Sequence, residues 1–274
     1  SFMLLFIRDN GKRRLIMKNK IGKSLATAGL LALAAIGTQI LGINTQTMNA
    51  MINEDGSGQT PTGDSSQKSA EKMVVIKPDN ANDYIKNGEV QIADGTTEVI
   101  VCVKAFQNNE SIKSIVFPDS VKKITFSERC FKNSGIENLK LPPDMEKITF
   151  RQESFRYTEK LTSPLVFGDV AAVSFEEGAF ANSCVPSVNF TKSVDNLYFG
   201  EASFCYSNID SLNIPEGTKI DSVATSAFSF TNLKKVDFSK IDTPETFVFC
   251  QYAFASSSIG ELKLPNAKNI RFES

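Results

Sequence analysis

Two series of apolar–x–apolar triplets alternate along the chain from residue 99 onward. The first contains Ile115-Val116-Phe117, Leu139-Lys140-Leu141, Leu165-Val166-Phe167, Val188-Asn189-Phe190, Leu212-Asn213-Ile214, Val236-Asp237-Phe238 and Leu262-Lys263-Leu264. The second contains Val99-Ile100-Val101, Ile124-Thr125-Phe126, Ile148-Thr149-Phe150, Val173-Ser174-Phe175, Leu197-Tyr198-Phe199, Phe247-Val248-Phe249 and Ile270-Arg271-Phe272, with a degenerate member at Asp221-Ser222-Val223. In an extended segment the outer residues of a triplet point one way and the middle residue the other. Each triplet therefore predicts a short strand with two core positions and one outward position.

Between the triplets lies a second recurrence, a small residue followed by phenylalanine. The anchors are Phe106, Phe131, Phe155, Phe180, Phe204, Phe228 and Phe254, at steps of 25, 24, 25, 24, 24 and 26 residues. Such a period is the signature of a solenoid, in which each coil packs only on its neighbours. The gap from the end of the second triplet to the anchor is five residues in every coil, whereas the other gaps vary. A fixed gap predicts a packed corner and the variable ones predict surface loops. Three residues after each anchor comes Asn109, Ser134, Thr158, Ser183, Ser207, Thr231 or Ser257, short polar side chains suited to bonding a bending backbone. Pro118, Pro142, Pro215 and Pro265 close the first triplet in four coils, where a missing N–H stops a ladder. The predicted fold is mainly β, a solenoid of about seven 24–25-residue coils with two short strands per coil.

The order small-Phe, short polar, apolar, Leu-x-Leu-Pro, Ile-x-Phe resembles the BspA-type leucine-rich repeat over about residues 90–274. The period here is slightly longer, and Ser, Thr or Asn stands where that family often has Cys. The resemblance implies a surface protein of bacterial type, adhesion to host proteins or other cells, and no catalysis by the repeats.

The repeats occupy the chain unevenly. Residues 1–16 read as translated upstream sequence, with Met17 as the natural start. Residues 17–50 join a basic start, Lys18 to Lys23, to 20 uncharged residues from Ser24 to Ile43, the plan of a secretory signal peptide. An uncleaved membrane helix is the other reading of that stretch. Residues 51–72, rich in Gly, Ser, Thr and Asp, cannot bury a core and are expected to be a disordered linker. Residues 73–98 are expected to form the solenoid entry and N-terminal cap, and 99–274 the repeats. The last triplet ends at Phe272, short of the next expected anchor, so the repeats are expected to continue in the natural product.

Composition narrows the function. The sequence has no His and no Trp, which removes the commonest general base and metal ligand. The net charge of −1 divides into +6 over residues 1–50 and −7 over the rest, a poor balance for nucleic-acid binding. Five cysteines without a C-x-x-C pair suggest neither zinc nor a disulfide framework, and no cofactor is expected. The outward row Val116, Lys140, Val166, Asn189, Asn213, Asp237 and Lys263 is the candidate binding face, since solenoids take partners over extended faces. A second row, Glu128, Gln152, Glu177, Glu201 and Gln251 with Glu153 and Glu176 beside it, offers carboxylates but no basic partner in the same rows. The long loop from Ser239 to Thr246 is a further recognition candidate. The expected partner is an extracellular protein or glycan, with no nucleic acid and no membrane contact beyond the signal segment or an anchor. Two other readings stay open: a passive stalk for another domain, and a β-helix polysaccharide-degrading enzyme.

Overall fold

The computed structural model describes residues 72–274 in full and two strands before them, Met3–Asp9 and Lys12–Lys18, as backbone. Residues 19–71, which hold all of the expected signal peptide and linker but Met17, Lys18 and Lys72, lie outside the described residues. From residue 72 the chain winds as a stack of short strands into the predicted β-solenoid.

One side is a nine-stranded parallel sheet, from Met73–Ile76 through Glu98–Val101, Lys123–Phe126, Asp144–Phe150, Asp169–Phe175, Asn196–Phe199, Ser222–Val223 and Thr246–Phe249 to Asn269–Phe272. Its register is strict. Val101, Phe126, Phe150, Phe175, Phe199, Val223, Phe249 and Phe272 stand opposite one another in successive coils. The other side carries the first triplets and is divided. Ile85–Lys86, Glu89–Gln91, Ser114–Val116 and Asn138–Lys140 form one ladder, Leu165–Phe167, Ser187–Phe190 and Ser211–Asn213 a second, and Lys235–Asp237 with Glu261–Lys263 a third. Lys12–Lys18 runs antiparallel along Glu261–Lys263.

At the entry, Ile85–Lys86 folds back antiparallel on Glu89–Gln91. The two residues between them, Asn87 and Gly88, both have left-handed φ, 52° and 80°. This is the two-residue hairpin that an Asn-Gly pair favours. Ahead of it Ala81 occupies the anchor slot, five residues after Ile76, inside a short 3-10 turn.

The corner at each anchor is built identically in seven coils. The residues two before and two after the Phe are left-handed every time: Lys104 and Asn108, Arg129 and Asn133, Glu153 and Tyr157, Gly178 and Asn182, Ala202 and Tyr206, Ser226 and Phe230, Tyr252 and Ser256. Two such reversals swing the ring inward while the backbone turns outward. They also sort the backbone hydrogen bonds. N–H groups at the odd offsets close turns within the coil, as in Cys130 to Ser127 O, Lys132 to Arg129 O and Ser134 to Phe131 O. N–H groups at the even offsets reach the next coil, as in Arg129 to Gln152 O, Phe131 to Ser154 O at 2.8 Å and Asn133 to Arg156 O. The three inter-coil bonds recur from the first anchor corner through the sixth. This satisfies backbone groups that burial would otherwise penalise. Each anchor N–H lands on the carbonyl of the small residue before the next anchor, so that slot sits where neighbouring backbones come closest.

The rings form the core. Phe106, Phe131, Phe155, Phe180, Phe204 and Phe228 are at most 1% exposed and Phe254 is 7% exposed. Their centroids follow one another at 5.0 to 5.5 Å, and from Phe131 onward the rings lie within 13° of parallel. A second ladder, Phe126, Phe150, Phe175 and Phe199, meets the first edge-on, as between Phe150 and Phe180 at 5.0 Å and 63°. Offset stacks crossed by edge-to-face contacts are the favoured aromatic arrangements. The cysteines are free thiols, Cys130 buried in the small slot and the other four half-buried.

Candidate functional site

The outward row divides in two. In its later half the side chains bond to the protein itself. Asn189 Nδ2 donates to Ser187 Oγ at 2.9 Å, Asn213 Nδ2 donates to Phe190 O at 3.1 Å, and Lys263 Nζ donates to Asp237 Oδ2 at 2.5 Å. Partial burial pushes the Asp237 carboxyl upward, but Lys263 and Ser239 outweigh it and hold its pKa below the ordinary value. In the earlier half, Val116 and Val166 are 41% and 46% exposed, and the Lys140 side chain between them is exposed and makes no hydrogen bond or ion pair among the described residues.

Between Lys140 and Val166 the ladder is broken. In neighbouring coils the first strand residue closes the ladder backward through its N–H, as Ser114 does to Gly88 O and Asn138 to Lys113 O. In the fourth coil this position is Pro164, which has no N–H. The waiting strand improvises: the N–H of Leu139 goes to Ser163 Oγ at 3.2 Å instead of to a carbonyl. The strands part, and a cleft of about 390 Å³ opens between them, walled by Leu139, Leu141, Pro142, Pro143, Pro164 and Val166 with Lys140 and Asn138 at its rim.

The cleft floor is tight. Gly168 sits so close to the preceding coil that a Cβ there would lie 2.1 Å from Pro143 O. The N–H of Asp169 reaches the same carbonyl at 2.8 Å. The contact begins two unusually long strands, Asp144–Phe150 and Asp169–Phe175, paired from Asp144 and Asp169 onward. The coils are thus clamped on the long sheet opposite the point where the short-strand side is parted.

The carboxylate row corrects the sequence reading on one point. Glu153 does have basic partners, and three of them. Arg129 Nε and Lys132 Nζ donate to its Oε2 at 2.7 and 2.8 Å, and Arg156 binds its Oε1. Arg129 and Lys132 come from the coil before, so the cluster exists only once the corners are stacked. Glu153 is 8% exposed. Burial raises its pKa, but the hydrogen bonds from Lys132, Arg129 and Arg156 outweigh that and bring it to about 2. A carboxylate held so firmly ionised serves as a tie between corners; it is a poor proton donor or acceptor near neutral pH. Arg156 also lies 4.8 Å from the Tyr157 ring centroid.

The loop from Ser239 to Thr246 is sewn to its neighbours. Asp242 N–H donates to Thr218 O at 2.8 Å, and Lys268 Nζ donates to Glu245 Oε1 at 2.5 Å. The sequence pattern placed Lys140 and Val166 on one outward row but did not reveal the cleft between them. Its signal was Pro164, placed at the start of a triplet where the other noted prolines end one.

The model of the BspA type leucine rich repeat region matches the chain in six copies, over residues 84–198 and 149–273. Among curated proteins none matches. The match spans more than half of the chain and coincides with the coils described above. The chain belongs to the BspA-type leucine-rich-repeat family, a family of repeat scaffolds for surface binding.

Proposed function

We propose that this protein is secreted or surface-displayed and binds an extracellular protein or glycan through the short-strand side of its solenoid, centred on Val116, Lys140 and Val166, with no catalysis by the repeats. One observation carries the reading. The outward row is committed to internal bonds in its later half, and it is free beside a parted ladder in its earlier half. Two exposed valines around an unpaired lysine supply apolar contact and one charge, the chemistry of an interface centre with a polar rim. The bacterial surface address rests on the family and on the basic and apolar plan of residues 17–50.

The test is surface plasmon resonance of the purified chain over immobilised extracellular-matrix proteins and cell-surface glycans. The reading expects a ligand that Lys140→Glu and Val166→Asp each weaken by about tenfold, about 1.4 kcal/mol. The same substitutions at Asn213 are expected to do less. A passive stalk would bind nothing in any lane, and binding indifferent to Lys140 and Val166 would place the site elsewhere.

A further inference from the structure

We infer that the break beside Lys140 takes a short extended segment of another protein, one that carries an apolar side chain next to an acidic one. This rests on the reading of the short-strand side as the binding face, and it names the chemistry of what binds there.

The break leaves backbone groups without partners. Leu139 directs its N–H forward, to Ser163 Oγ. Thr191 N–H donates to Phe167 O at 3.0 Å, so Phe167 faces the fifth coil and Val166, one residue earlier, faces back toward the third. A continued ladder would therefore bond Val166 N–H to Leu139 O and Leu141 N–H to Val166 O. Neither bond is present among the described residues, and the two strands belong to separate ladders. Leu139 and Leu141 are only 3% and 9% exposed. Backbone groups so far from water are normally paired. Here two N–H and two C=O groups alternate along the gap, the pattern that another extended backbone answers.

The gap has the shape of a wedge. It is shut at one end, where Gly168 crowds the carbonyl of Pro143 and Asp169 N–H bonds to it. It is open at the other, where Leu139 N–H meets a side-chain oxygen instead of a carbonyl. Pro142, Pro143 and Pro164 wall the space of about 390 Å³ between the ends. Proline rings give a glycan's hydroxyls nothing to bond, whereas an apolar side chain fills such a space and sheds water in doing so.

The charge at the rim is the Lys140 ammonium, exposed and unpaired among the described residues. A carboxylate beside the apolar group completes the match, since complementary charge fixes which segment is accepted. Main-chain bonds supply affinity and the side-chain pocket supplies selectivity, as in other captures of extended peptides by sheet edges.

The test is fluorescence anisotropy of the full 274-residue chain with labelled peptides that alternate Thr with Asp and one apolar residue: Leu, Ile or Phe. At least one is expected to bind, and to slow hydrogen exchange at the Leu141 and Val166 amides while leaving Phe180 unchanged. In that peptide, Lys in place of Asp, Ser in place of the apolar residue, or methylated backbone nitrogens are each expected to weaken binding about tenfold. Lys140→Glu is expected to reverse the charge preference, so that the Lys-bearing peptide binds the tighter. Labelled maltoheptaose is expected not to bind. The assignment is overturned if no peptide binds, if the methylated peptide binds as well as the parent, or if protection appears elsewhere than at Leu141 and Val166. Maltoheptaose binding in place of the peptides overturns it too, as does a charge preference that Lys140→Glu leaves unreversed. In each of these cases the short-strand side still stands as the binding face if a matrix protein binds through Lys140 and Val166, and falls if none does.

Discussion

The anchor corner and the short-strand side are built from the same coils yet behave as opposites. At the corner, three N–H groups per coil cross to the next coil without interruption from Phe106 to Phe228, and a ring stacks under every turn. On the short-strand side the ladder falls into three pieces, and one proline opens a cleft in it. The solenoid can tolerate the interruption because its register is held elsewhere, by the corner and by the nine-stranded sheet. The difference separates the residues that hold the coils from those whose side chains stay in solvent beside the break.

Substitutions sharpen this contrast in order of effect. Phe180→Ala empties the middle of the ring ladder and touches both Phe155 and Phe204. It is expected to cost about 3–5 kcal/mol, read as a lowered denaturant midpoint. An unchanged midpoint would mean that the ladder is not the frame.

Glu153→Gln comes next, because it leaves Arg129, Lys132 and Arg156 facing one another without their carboxylate. A loss on the order of 2 kcal/mol is expected, since the three cations keep partial access to water. The same residue sets a pH dependence. Its folded pKa of about 2 lies below its ordinary value of 4.5, so its stabilisation is complete above about 4.5 and is lost as pH falls toward 2. Chemical denaturation across that window is expected to show a smaller acid loss in Glu153→Gln than in the wild type.

Pro164→Ser restores an N–H where the ladder lacks one. It is expected to stabilise by about 0.5–1 kcal/mol and, by closing the cleft, to weaken the partner of the outward row. Stabilisation without any change in binding would detach the cleft from function. The smallest effect belongs to Ser203→Ala. Among the described residues the Ser203 hydroxyl is buried without a partner, while Ala179 and Ala227 fill the same slot in adjacent coils. The change is expected to be neutral or stabilising by up to about 1 kcal/mol in thermal melting.

The periodic features of this molecule can be read from its residues, and the relational ones cannot. The anchors and triplets announce themselves because their positions demand one kind of side chain. The paired left-handed residues do not, because Lys104, Arg129, Ala202, Ser226 and Tyr252 share a backbone state and no chemistry. Only the constant five-residue gap hinted at them. Glu153 looked unpaired because its partners Arg129 and Lys132 are 24 and 21 residues away along the chain and adjacent only across coils. The cleft required knowing which backbone N–H each coil sends backward, and so what Pro164 withholds.

Residue-resolved hydrogen exchange on the free chain tests the division between frame and free face most directly. The amides of Phe131, Phe155 and Phe180, each bonded to the next coil at 2.7 to 2.8 Å, are predicted to exchange only through global unfolding. The amide of Leu139, bonded to Ser163 Oγ across the break, is predicted to exchange at least about tenfold faster through local opening. Equal protection at Leu139 and at the anchors, or faster exchange at the anchors, would contradict the account.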